Sequence, residues 1–414
     1  MHRCIDTSTS FFMTGIPPGE KLFKLKYGAY SNRIIAIYPE TQSIIKYSYS
    51  DPPYSIWSNP ETITSSSANQ PVTATIDDDG NLYFVFTSSG SNDLKFVKLT
   101  FNAGSWTAGS VNTICNVDYN YCPSIVRNPN GELWVGWCYC DSSFNYTIRV
   151  KKSANDGLTW GIGSSDIGTA LSTPSIYLGY VSLAMTATDL HAAYYANQTA
   201  LYYRNYPLTG GSWSDEEIIY VMDNLSNDFS IASSPDNKIA IALVVRSGIP
   251  GVVLKENDGL GWSGPYRADF NEDYSPIVKY LGGKPYLFHV VSYGENQKAI
   301  KFSYLSEGVF TTPEYFIEGM RPFEKVFLYD DDASTKFYDR TDEAESPDIT
   351  ADVYHPTSNA LIDANNDVLY LGMEKPFYFF HSLLSTTGSG GVVQYSYWNG
   401  SVWEDFIPYS GTFN

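Results

Sequence analysis

Asn102-Ala103-Gly104-Ser105-Trp106, Asn155-Asp156-Gly157-Leu158-Thr159-Trp160, Gly210-Gly211-Ser212-Trp213, Asn257-Asp258-Gly259-Leu260-Gly261-Trp262 and Ser306-Glu307-Gly308-Val309-Phe310 are five versions of one device, a glycine turn running into an aromatic residue. Trp57, preceded by Pro52-Pro53 in place of the glycine, opens the series. The six aromatics are spaced by 49, 54, 53, 49 and 48 residues. A fixed period of this size marks a repeat architecture, in which no unit can bury its own faces alone.

Between successive aromatics there is room for four short strands. In the second copy Val72 to Ile76 is apolar, Asp77-Asp78-Asp79-Gly80-Asn81 turns the chain, and Leu82-Tyr83-Phe84-Val85-Phe86 follows. Asp-Gly and Asn-Gly tolerate the positive φ of a tight hairpin, and Asn130-Gly131 precedes Leu133 to Trp137 in the same way. The runs are rich in Tyr, Phe, Val and Ile, which suit a pleated, buried surface. No window carries a capped 3.6-residue apolar stripe, so no long helix is expected. Four antiparallel strands repeated radially make a β-propeller, and Lys21 to Glu318 holds six copies. The reading is an all-β chain: an N-terminal extension over 1–19, a six-bladed propeller over 20–320, and a small β-sandwich over 321–414. One large β-sandwich is the competing fold, and it leaves the even spacing unexplained.

Ser153 to Trp160 resembles the Asp-box of sialidase-like propellers (BNR repeats), Ser-x-Asp-x-Gly-x-Thr-Trp, with Asn155 in the acidic slot and Ser153, Gly157, Thr159 and Trp160 in theirs. Lys255 to Trp262 is a degenerate second copy that keeps Asn257, Gly259 and Trp262. The resemblance implies a structural turn between third and fourth strands, on the face opposite the ligand site. The family's Arg-Ile-Pro triplet, which supplies one arginine of a carboxylate-binding triad, is represented only by Gly15-Ile16-Pro17. Arg127, Arg149, Arg204, Arg246 and Arg267 stand elsewhere without a context that assigns them. A triad of bidentate guanidinium forks does not lose a member cheaply, so sialidase chemistry is not expected.

After Glu318 the text changes. Asp367 to Gly372, Lys375-Pro376-Phe377, Ser385 to Gly388 and Tyr395-Ser396-Tyr397-Trp398-Asn399-Gly400-Ser401-Val402-Trp403 resemble a β-sandwich module of phage tail and virion proteins and of bacterial surface proteins. In that module further strands follow, so the sandwich reads as incomplete. A seventh blade ending at Trp403 is the alternative.

The net charge is −19, and 34 tyrosines accompany a charged fraction of only 17%. Nucleic acid needs a basic footprint and is not an expected partner. No stretch is long and apolar enough to span a membrane, and Met1 to Asp6 shows no leader. The cytoplasm, export with a removed leader, and a virion that leaves by lysis all stay open, and the resemblance of the C-terminal text favours an extracellular or virion protein. Cys115, Cys122, Cys138 and Cys140 fit no zinc spacing; disulfides are the expectation in an oxidising compartment and free thiols otherwise.

The expected ligand face is built from the connectors between blades. Asp118, Tyr119 and Tyr121, then Asp223, Asn227 and Asp228, then Arg267, Asp269 and Glu272 offer rings, amides and carboxylates to sugar hydroxyls. Asp269, Glu272 and Asp273 could also hold calcium, since hard cations take carboxylate oxygens; no other metal or cofactor is expected. The catalytic residues are unknown: His191 and His289 fall in strands, where a hydrogen-bonded core histidine is ordinary. The leading reading is a non-catalytic propeller binding a surface glycan, or other virion or surface subunits, with homo-oligomerisation left open. A glycoside hydrolase or polysaccharide lyase is the alternative, and a purely architectural subunit is the third.

Overall fold

The computed structural model describes residues 20–52, 54, 56–197, 199–221, 228–246, 251–268, 274–292, 298–311, 314–317, 325–345, 353, 364, 366–372 and 394–406. The chain divides into two compact units, His2–Arg321 and Pro322–Asn414. Among the described residues the one helix is the short Thr341–Glu345 (α1). No helix there is long and apolar enough to cross a membrane.

The first unit is a succession of antiparallel meanders. The first is β1 (Leu22–Lys24), β2 (Ile34–Pro39), β3 (Ile45–Ser50) and β4 (Glu61–Thr64). The second is β5 (Thr73–Ile76), β6 (Leu82–Thr87), β7 (Leu94–Asn102) and β8 (Ser105–Ala108), with β9 (Asn112–Cys115) also on β7. The third is β10 (Tyr119–Arg127), β11 (Leu133–Cys140), β12 (Tyr146–Ser153) and β13 (Thr169–Ala170). The fourth is β14 (Tyr180–Met185), β15 (Asp189–Asn197), β16 (Ala200–Pro207) and β17 (Glu217–Val221). The fifth is β18 (Phe229–Ser233), β19 (Ile239–Val245), β20 (Gly251–Asn257) and β21 (Trp262–Arg267). The sixth is β22 (Tyr274–Leu281), β23 (Lys284–Ser292), β24 (Lys298–Ser306) and β25 (Val309–Phe310), with β26 (Glu314–Ile317) also on β24.

Strand alternation explains why these sheets cannot stand alone. On β11, which is buried along its whole length, Leu133, Val135, Trp137 and Tyr139 enter the core shared with the second meander. Trp134 and Cys138, on the other face, enter the core shared with the fourth. Successive side chains of a strand point to opposite faces, so each interior sheet feeds two seams. The repeated aromatics sit in those seams. Trp106 lies between meanders one and two, Trp160 between two and three, and Trp213 against the seam of three and four. Trp262 and Phe310 pack against the next two seams.

Serine and threonine stitch the first strands together. Thr73 Oγ1 accepts from Ile125 N at 3.1 Å, Ser124 Oγ from Leu183 N at 3.0 Å, and Ser230 Oγ from Val278 N at 2.9 Å. All three side chains are buried, and each gives a partner to a backbone N–H that no sheet ladder reaches. Glu20, just before β1, accepts from Ala74 N through its carbonyl and forms an ion pair with Lys279 of β22. The first and sixth meanders are thereby tied.

The second unit contains a three-stranded sheet in the order β28 (Phe337–Asp339), β27 (Lys325–Tyr329), β29 (Val368–Gly372), and a hairpin of β30 (Tyr395–Trp398) and β31 (Trp403–Phe406). Asn399 Oδ1 closes the hairpin by accepting from Ser401 N and Val402 N, each at 2.9 Å. Trp398 faces Trp403 at 5.7 Å. Lys375 to Phe377 and Ser385 to Gly388 lie outside the described residues.

The seam bonds yield a stability prediction. Ser230→Ala strands the buried Val278 N–H and should cost about 1–3 kcal/mol, lowering the urea midpoint at unchanged slope. Ser165→Ala, at an exposed loop position, should leave the midpoint in place. Equal midpoints for the two variants would remove the stitch from the account.

Candidate functional site

Of the residues expected to bind ligand, Asp118, Tyr119 and Tyr121 are brought together at one end of the third meander. Tyr119 and Tyr121 are two apart on β10 and so share a sheet face. Their rings are 6.5 Å apart and 8° from parallel. The β11–β12 hairpin adds Phe144 at 6.4 Å from Tyr119, and Tyr146 at 6.3 Å from Tyr121. The result is a row of four rings, Phe144, Tyr119, Tyr121 and Tyr146. Phe144 is 65% exposed and Tyr119 36%.

Local chemistry fixes this row. Asp141 Oδ1 accepts from Ser143 N and Asn145 N at 2.9 Å each, and Oδ2 accepts from Asn145 Nδ2 at 3.0 Å. This Asx-type turn lets Phe144 take φ 63° at the hairpin tip. The same bonds hold the Asp141 carboxyl below its ordinary range, the Asn145 N–H acting most strongly. Asp118 also has positive φ, at 47°, and its Oδ2 accepts from the Tyr139 hydroxyl at 2.5 Å. Burial, then that carboxylate, pushes the Tyr139 phenol well above its usual range. The buried Asn120 donates to Asn92 O at 3.0 Å and Val117 O at 3.3 Å. Two non-glycine residues held at positive φ beside exposed rings are the kind of stored strain that clusters at binding sites.

The other expected contacts fall elsewhere. Asp228 is buried, accepting from Ser275 N at 3.5 Å, a contact within the seam of the fifth and sixth meanders. Arg267 ends β21 in the fifth meander, with the fourth between it and the tyrosine row. Asp223, Asn227, Asp269, Glu272 and Asp273, and with them the calcium expectation, lie outside the described residues, as does Gly15-Ile16-Pro17. Among the described residues no group of three or more acidic, histidine or cysteine side chains could hold a metal. Phe144 and Tyr146 were missed because a hairpin tip reads as an ordinary polar loop. The signal available was Phe144 between Ser143 and Asn145, an apolar ring with no strand to bury it.

The Ser153–Trp160 turn folds through its own side chains. Ser153 Oγ accepts from Gly157 N at 3.0 Å, and Asn155 Oδ1 from Thr159 N at 2.9 Å. Trp160 Nε1 donates to Gly157 O at 3.1 Å, and its ring meets Phe96 edge-on at 5.5 Å. Gly157 has φ +81°, and a Cβ there would lie 2.1 Å from Phe96. In the second copy Asn257 Oδ1 accepts from Gly259 N, and Trp262 meets Tyr203 at 5.0 Å.

The four cysteines are free and buried. They do not form one cluster, because strand alternation divides them: Cys115 belongs to the seam of meanders two and three, Cys138 to that of three and four. Burial pushes the Cys138 thiol up to about 12 and raises Cys122 as well, so neither is an activated nucleophile.

His191 is a core histidine. It is buried, with Nδ1 2.7 Å from the Tyr203 hydroxyl and Nε2 3.2 Å from Thr186 Oγ1. Burial lowers its pKa to about 4 from 6.5, against a smaller opposing pull from Asp189. The folded state therefore binds fewer protons than the unfolded chain between those values. The contribution of His191 is full above pH 6.5, falls as pH drops through the window and levels off below pH 4, with an amplitude on the order of 3 kcal/mol. The stability difference between wild type and His191→Gln, followed by urea titration from pH 7.5 to 3.5, should trace that fall. A difference that stays flat across the window would contradict the buried neutral imidazole.

No protein-family model matches the chain, and no curated protein does. Solved structures do. An ulvan lyase of polysaccharide lyase family PL25, bound to -[GlcA(1-4)Rha3S]-, matches over 74% of this chain and 87% of its own, at 10% identity and TM-score 0.53. A mutant of AofleA from Arthrobotrys oligospora matches over 75% and 89%, at 12% identity and TM-score 0.49. Trypanosoma rangeli sialidase in complex with the inhibitor DANA matches over 73% and 56%, at 12% identity and TM-score 0.47. At such identities likeness speaks for fold alone, and the ulvan lyase match carries it: four-stranded antiparallel sheets arranged as a β-propeller.

Proposed function

We propose that the chain is a non-catalytic saccharide-binding propeller whose ligand face is the ring row Phe144, Tyr119, Tyr121 and Tyr146, flanked by Asp118. The observation that carries this reading is a row of aromatic rings, of which Phe144 and Tyr119 are exposed and Tyr121 and Tyr146 rest against the core, held by an Asx-type turn and by two residues at positive φ. Sugar rings present C–H faces to aromatic rings and hydroxyls to carboxylates. Asp118 and Asp141 stand at this end, so a neutral, hydroxyl-rich saccharide fits better than an acidic one.

The resemblance of the C-terminal text to virion and bacterial-surface modules supports display of this face outside a cell, on a virion such as a phage tail or at a cell surface. Many weakly binding copies then reach useful avidity. The partners on this reading are a surface glycan and neighbouring subunits of the same assembly.

A glycan array probed with a multimerised form of the protein should show binding to neutral saccharides. Tyr119→Ala and Phe144→Ala should each weaken it about three- to ten-fold, the loss expected for one aromatic contact of roughly 1 kcal/mol. Thermal stability should hold for Phe144→Ala, since that side chain stands in solvent. Binding unchanged in the double variant would sink this site, and an array with no glycan bound would sink the function.

A further inference from the structure

A second cleft, at the other end of the same sheets, has different chemistry. It lies between meanders three and four and measures about 860 Å³. Trp134, which lines it, is the second residue of β11, at the opposite end of that strand from Cys140 and the ring row. Tyr206 and Trp213 complete an aromatic wall, with ring centroids 5.1 Å (Trp134–Tyr206), 5.6 Å (Tyr206–Trp213) and 6.5 Å (Trp134–Trp213) apart. Asn155 and Thr159 of the Ser153–Trp160 turn form the rim.

The cleft is braced from behind. Lys151 is buried and donates to Ile114 O at 2.8 Å, Gly163 O at 2.6 Å and Asp166 O at 2.6 Å. One ammonium thereby fixes the long β12–β13 loop that makes the facing wall. Such bracing fixes the opening before any ligand arrives, which lowers the ordering cost of binding.

The cleft also has unmet donors. Arg204 Nε and Trp134 Nε1 are both shielded from solvent, and neither has a hydrogen-bond partner among the described residues. Lys152 adds a second cation at the lining, 5.5 Å over the Trp134 ring and paired with Glu132 at 2.9 Å. Each cation has a carboxylate near it: Asp166 lies 3.8 Å from Lys151, Glu132 pairs with Lys152, and Arg204 lies against the Tyr194 hydroxyl that donates to Glu216. Glu216 stands behind, held at 2.6 Å by the Tyr194 hydroxyl. Two unpartnered donors converging in one cleft, beside the Arg204 and Lys152 cations, call for an acceptor-rich ligand.

We propose that this cleft is a second carbohydrate site, one that takes a sugar bearing a carboxylate or sulfate. The sugar packs against the half-buried Tyr206 and Trp213, behind which Trp134 is buried, and the anionic group meets Arg204 and Lys152. The site is separate from the ring row and does not depend on it: either can fail while the other stands.

The test uses the full chain and two probes, a galacturonate tetramer for carboxylate and a sulfated galactose tetramer for sulfate, with cellotetraose as the neutral control, read by titration calorimetry. At least one anionic probe should bind, more weakly as salt rises, and cellotetraose should not compete for the cleft. Arg204→Gln should weaken binding about ten- to hundred-fold, the loss expected of a charged hydrogen bond. Lys152→Ala and Trp213→Ala, at exposed and half-buried positions, should each cost several-fold and serve if the Arg204 variant does not fold. The Tyr119→Ala/Phe144→Ala double variant should bind the anionic probe as wild type does. Failure of both anionic probes to bind wild type, or binding that Lys152→Ala and Trp213→Ala leave unchanged, would overturn the proposal.

Discussion

Both faces of each interior sheet in the first unit are buried, and they are buried in different seams. On β11 the odd-numbered side chains meet the second meander while Trp134 and Cys138 meet the fourth. Removing one meander would expose a face of each of its neighbours, at about 25 cal/mol for every Å² of apolar surface returned to water. The sheets are consequently obliged to stack in order. The recurring aromatic closes each seam near its rim, and the Thr73, Ser124 and Ser230 stitches close it near the first strands. The two devices act at opposite edges of the same sheet, so together they fix both the spacing and the tilt of neighbours.

That scaffold frees the strand ends for function. A strand buried on both faces leaves little of its length to vary, whereas its terminal loops are set in place without being needed for the core. The third meander uses both of its ends. One carries the Phe144–Tyr146 ring row with Asp118 and Asp141; the other opens the cleft of Trp134, Lys152 and Asn155. On the proposed readings the acidic and aromatic end takes hydroxyls, and the other takes an anionic group. Two chemistries on one sheet is a consequence of strand polarity, because the turns at the two ends are built from unrelated stretches of sequence.

Several buried polar groups of the unit are answered locally. Arg33 lies over the Tyr30 and Tyr49 rings and grips Asp51 with Nε at 2.8 Å and Nη2 at 2.6 Å. Lys151 is answered by three carbonyls and His191 by two hydroxyls. Others are not: Arg127 Nε, Trp137 Nε1 and Arg149 Nε have no partner among the described residues, and neither do Arg204 Nε and Trp134 Nε1, which line a single cleft; a buried donor left unpaired is costly. That convergence is why the cleft, rather than the histidines or thiols, carries the second binding proposal.

The repeat, the all-β class and the propeller were legible in the sequence, because turn chemistry and strand alternation are local properties written at fixed spacing. So was the Ser153–Trp160 turn, whose bonds all close within eight residues. Asp118, Tyr119 and Tyr121 were legible as a connector rich in rings and carboxylate. Only the tertiary structure decided which side chains meet. Phe144 joins Tyr119 across a hairpin, Asp228 turns inward to a seam, and Cys115 parts from Cys138 across a sheet. Trp134 comes to Tyr206 and Trp213 from a different meander. Those outcomes depend on which face of a strand a residue occupies and on which sheet lies opposite, and one residue of register reverses the first. Contacts between meanders are not written in any single repeat, so no local reading of the chain could have supplied them.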